Sequence, residues 1–62
     1  MSKKAAVTQA AVNAVATATT VINSYGLTSP EAASALKAAR NSVTAARAEG
    51  ATDHDIRTTQ PK

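Results

Sequence analysis

A chain of 62 residues with no cysteine and a formal charge of +3 has room for one small domain, and it excludes disulfides, thiolate catalysis and cysteine-liganded zinc. Only eleven residues are apolar and larger than alanine: Met1, Val7, Val12, Val15, Val21, Ile22, Tyr25, Leu27, Leu36, Val43 and Ile56. Ordering a residue costs about 1.5 kcal/mol and burying a Val or Leu contributes about 1.5–3 kcal/mol, so a lone chain sits near balance and self-association or a partner is expected.

The first predicted element is an alanine-dominated helix over about 5–25, since Ala loses least side-chain entropy in a helix. Val7, Ala11, Ala14, Ala18, Val21 and Tyr25 fall at spacings of four and three and form its apolar stripe, which Val15 and Ile22 widen. Gln9, Asn13, Thr17, Thr20 and Ser24 make the opposite face polar without charge. Residues 5–30 carry no charged side chain, yet Thr8, Gln9, Asn13, Thr17, Thr19, Thr20 and Asn23 make the stretch too polar for a membrane span. Gln9 and Asn13 also interrupt what would be the apolar core of a signal peptide, so a cytoplasmic location is expected.

Gly26 stands where a left-handed helix cap is wanted, and Leu27-Thr28-Ser29-Pro30-Glu31 reads as the start of a second helix over about 30–49. Thr28 and Glu31 have the spacing of a capping box. The second seam is Ala32, Leu36, Ala39, Val43 and Ala46, and Gly50 ends the helix. Two helices of similar length joined by a short turn predict an all-α antiparallel hairpin that self-associates into a bundle. Thr52 and Asp55 mark one short helical turn from Asp53 to about Thr58, followed by a flexible tail, all within a single domain 1–62.

Chemistry-bearing residues are few. His54 is the only histidine and lies between Asp53 and Asp55, but sequence neighbours do not face one another on a helix, so a solvent-exposed histidine is expected. The sequence has no Gly-rich phosphate loop, paired carboxylates or His-x-x-x-His spacing. An enzyme is therefore not expected, nor a cofactor, a metal or a small-molecule substrate. Between Ala32 and Ala48 every ionised group is positive: Lys37, Arg40 and Arg47. With Thr44 they recur at spacings of three, four and three, a row that suits successive phosphates of duplex DNA or, more plainly, covers the alanine seam with long solvated side chains. A single tyrosine argues against single-strand binding by stacking.

Leu27-Thr28-Ser29-Pro30-Glu31-Ala32-Ala33-Ser34-Ala35-Leu36, followed by Arg40, Val43 and Glu49-Gly50, resembles the helix-turn-helix of excisionases and MerR-type regulators. That family reads Leu-Thr, two residues, Glu-Ala-Ala, two residues, Leu, then a Gly-containing turn and a recognition helix Arg-x-x-Val ending in Glu-Gly. The resemblance runs from 27 to 50 without a gap. It implies that Arg40, Asn41 and Thr44 face the major groove, that Arg47 lies near the DNA backbone, and that the helix breaks around Lys37-Ala38-Ala39. Those three residues contain no turn former, and by propensity alone the second helix is unbroken. The family's basic wing would fall on 51–55, which is neither basic nor strand-like.

Two functional expectations follow. One is a small nucleic-acid-binding accessory or regulator, of the kind phages and plasmids encode, using Lys37, Arg40, Asn41, Thr44 and Arg47 on duplex DNA. The other is a helical interaction module, an inhibitor, adaptor or assembly subunit, that docks a larger protein on the uncharged first helix around Asn13, Thr17 and Thr20.

Overall fold

The computed structural model describes residues 3–62, so Met1, counted above among the apolar residues, lies outside the described residues. Three helices follow in order: α1 over Lys3–Tyr25, α2 over Pro30–Ala48 and α3 over Asp53–Thr58. The long dimension of the molecule, 34 Å, is the length of α1 itself at about 1.5 Å per residue. α2 folds back along α1 as the expected hairpin, and α3 packs on α1.

Each boundary has a local cause. Gly26 takes a φ of +92°, a region that costs other residues a steric penalty, and its N–H closes the last turn of α1 on the Ile22 carbonyl at 2.8 Å. Ser29 caps α2: its hydroxyl accepts from the Ala32 N–H at 3.1 Å and donates to the Gly26 carbonyl at 2.8 Å. The cap is thus Ser29 and not the Thr28 that the capping-box spacing suggested, because Pro30 occupies the first helical position and fixes the residue before it in an extended conformation. At the other end of α2 the Ala51 N–H bonds the Ala46 carbonyl and the Gly50 N–H bonds that of Arg47, both at 3.0 Å, with Gly50 at φ +95°. This is the paired bonding of a Schellman motif. Thr52 and Asp55 then cap α3 reciprocally, the box their spacing predicted.

The core is made of alanine. Ala11, Ala32 and Ala46 are fully buried, Ala18 and Ala39 nearly so, and Ala51 joins Ala11 and Ala46 in one cluster flanked by Val7 and Val43. Among the described residues no larger side chain is fully buried. Small seam residues let helix backbones approach closely, and the interior gained is correspondingly thin.

Several seam assignments need correction. Tyr25, expected to close the first stripe, is 63% exposed, because it is the last residue of α1 and the chain turns away at Gly26. Val15 is 42% and Leu36 36% exposed, so they border the seam instead of filling it. Conversely, α1 buries a second side that the stripe did not include. Thr8 and Val12 are buried, and both border clefts shared with residues of 55–61. The Thr8 hydroxyl has no hydrogen-bond partner among the described residues. The segment after α3, expected to be a loose tail, lies along α1: the Gln9 amide donates to the Gln60 carbonyl at 2.8 Å, and the Lys62 N–H donates to the Asn13 side chain at 2.8 Å.

Candidate interaction surface

α2 runs unbroken through Lys37, Ala38 and Ala39, so the turn implied by the helix-turn-helix resemblance is not present and propensity decides the matter. Lys37, Arg40, Asn41, Thr44 and Arg47 are all exposed on one side of a single helix. Thr44 returns its hydroxyl to the Arg40 carbonyl at 2.9 Å, which leaves the hydroxyl's own acceptor capacity facing outward.

The charges are not equally free. Arg47 pairs with Asp53 at 2.6 Å, Lys3 with Glu49 at 3.8 Å and Lys4 with Asp55 at 3.3 Å. Three of the four carboxylates are thereby engaged around the ends of α2 and α3. Lys37 and Arg40 form no ion pair among the described residues. Part of the positive surplus of the chain therefore lies on the middle of α2, with Arg57 and Lys62 carrying the rest near the C-terminus.

Beside those cations the hairpin leaves an open groove. Val15 from α1 and Leu36, Ala39 and Val43 from α2 line it, while Arg40, Thr44 and Arg47 stand along its α2 side. Leu36 and Val43 are two helical turns apart, giving an apolar line about 10 Å long. Val15 also borders a second cleft, between α1 and the C-terminal segment, with Val12, Ala16, Ile56, Arg57 and Pro61. Sequence periodicity placed Val15, Leu36 and Val43 in the core; their partial exposure is what turns them into a surface.

Of the residues expected to receive a protein on α1, Thr17 and Thr20 are exposed, and Asn13 is half-buried beneath Lys62. Asn13, Thr17 and Thr20 share a shallow depression with Pro61 and Lys62, so the chain's own terminal segment occupies part of that face. His54 is exposed, and no group of His, Asp or Glu among the described residues is arranged to hold a metal. α1 is long and apolar enough to cross a membrane by length and composition, with a mean hydropathy of 1.3. In this fold the same helix carries α2, α3 and the terminal segment on its sides.

The surroundings of Asp55 shift its titration. Its carboxylate accepts from the Thr52 backbone N–H at 3.0 Å and from Lys4, and these bonds hold its pKa below the ordinary value of 3.8. A depressed carboxylate pKa adds stability that is present above the ordinary value and is lost as the pH falls through the folded one. Asp55→Asn should therefore lower the melting temperature near neutral pH and make no difference in strong acid. Circular-dichroism melts at both pH values check this, and a deficit that persists unchanged in acid would assign the loss to packing instead.

Comparison with protein-family models, with curated proteins and with solved structures gives no match for this chain.

Proposed function

We propose that the chain is a helical interaction module that docks a protein partner on the α1–α2 groove. One observation carries the reading: among the described residues no large side chain is fully buried, while Val15 and Leu36 lie open in a groove between the two long helices. A hairpin cored by alanine gains little from its own burial, so another helix laid on that groove adds the apolar area the fold lacks. Either a second copy of the chain or a larger protein would supply it. The surface differs from the uncharged α1 face, part of which the terminal segment already covers.

A second reading is favoured by the unpaired cations. Lys37 and Arg40, with Asn41 and Thr44 beside them on a continuous helix, suit duplex DNA, the phosphates taking the charges and the major groove the helix. Arg47 is paired with Asp53, in an exposed contact that a phosphate can displace.

Affinity capture with and without nuclease separates the two, using wild type, Leu36→Asp and Lys37→Ala. Docking in the groove predicts nuclease-resistant partners that Leu36→Asp loses and Lys37→Ala retains. Retention abolished by nuclease, and weakened by Lys37→Ala, would replace this reading with the nucleic-acid one.

A further inference from the structure

The chemistry of the groove narrows the class of partner. We infer, building on the docking reading above, that the α1–α2 groove receives an amphipathic helix whose apolar stripe is flanked by carboxylates.

Shape argues for a helix. Leu36 and Val43 lie seven residues apart on α2 with Ala39 between them as a low floor, and Val15 closes the line from α1. This spacing matches the i, i+3 or i+4, i+7 anchors of a helix laid into a groove. The side is also sterically open, since α3 packs on α1 and reaches α2 through the exposed Arg47–Asp53 pair.

Charge argues for acid. Arg40 and Arg47 stand seven residues apart along the same edge as Leu36 and Val43, and no carboxylate lines the groove. Arg40 has no ion-pair partner among the described residues. The Arg47–Asp53 pair has both side chains more than half exposed, so water screens it and an incoming carboxylate can exchange for Asp53 at little cost. Two guanidiniums spaced by two helical turns fit carboxylates at the same interval on an antiparallel or parallel guest. A second copy of this chain is a poorer fit, because its own groove brings no carboxylate to meet Arg40 and Arg47.

The test uses synthetic peptides of about 18 residues, long enough to be helical when bound. One carries a Leu stripe flanked by Glu, one the same stripe flanked by Lys, and one the Glu peptide's composition scrambled to remove the stripe. Titration into the nitrogen-15-labelled full chain should move the amide signals around Val15, Leu36, Ala39 and Val43 with the Glu-flanked peptide. Its affinity should exceed that of the Lys-flanked peptide by about tenfold or more, two rim charges being reversed. Arg40→Glu, which breaks no ion pair of the fold, should reduce or invert that preference.

Equal binding of the Glu- and Lys-flanked peptides in the groove would overturn the acidic specificity and leave the docking reading standing. Equal binding of the scrambled peptide, with shifts around Lys37 and Asn41, would show that anionic charge alone is recognised and overturn the inference. If no peptide moves the groove signals and sedimentation gives a dimer that Leu36→Asp dissociates, the occupant is a second copy and the inference falls.

Discussion

Ala46→Leu is expected to remove much of the stability of the fold, whereas Ala45→Leu one position earlier should be close to neutral. Ala46 is fully buried and packs with Ala11 and Ala51, at the place where α1, α2 and the entry to α3 meet. Ala45 is exposed on the same helix. Both substitutions keep a good helix former, so propensity cancels and the difference reads packing alone. Three added carbons between closely apposed backbones cannot be housed by rotamer changes, and the helices must part. Overpacking of this kind costs about 1–3 kcal/mol, against about 3–9 kcal/mol for the whole of a domain this size at typical values per residue. Ala11→Leu should cost a similar amount, and the double variant less than the two costs added, since once the helices have parted the second side chain finds room. Urea titrations followed by circular dichroism measure all four. Equal midpoints for Ala46→Leu and Ala45→Leu would mean that the alanine seam is not closely packed.

The same residues show how far the sequence could be read. Helix ends were legible because their causes are local: Gly26 and Gly50 need only their own φ, and Thr52 and Asp55 need only each other. The hairpin was legible because a short turn between two long helices allows little else. What failed was the assignment of faces. In a helix of Ala, Thr and Val almost every side is small and weakly apolar, so the burial of a given side is decided by whatever packs on it. Val12 and Thr8 are buried because 55–61 returns to α1, a contact separated by more than forty residues from the positions it covers. Val15, one turn from Val12 and just as apolar, stands between that cover and α2, stays 42% exposed and borders the groove. The basic face was visible as a spacing of Lys37, Arg40, Thr44 and Arg47, but the pairing of Arg47 with Asp53 needed the α2–α3 turn to be in place.

Gly50 sits at φ +95°, and a β-carbon there would meet no atom within 4 Å, so substitution is limited by backbone conformation and not by space. Cost should follow the penalty for a left-handed residue. Gly50→Asn should be tolerated best, because Asn enters this region with help from its own side chain. Gly50→Ala should cost about 1–2 kcal/mol, and Gly50→Val more, since branching at the β-carbon worsens the same clash. The consequence is not confined to one residue: the Gly50 and Ala51 N–H groups satisfy the Arg47 and Ala46 carbonyls, and Ala51 belongs to the core cluster. If Val forces the backbone out of the left-handed region, Ala51 leaves the core and α3 loses the anchor that sets it on α1. Amide hydrogen exchange should then accelerate across 53–58 in Gly50→Val while the middle of the α1–α2 hairpin changes less. Gly26 has the same open surroundings at φ +92°, and Gly26→Val should disturb the other end of the hairpin and leave α3 alone. Identical stability for Asn, Ala and Val at position 50 would show that the left-handed turn is not what ends α2.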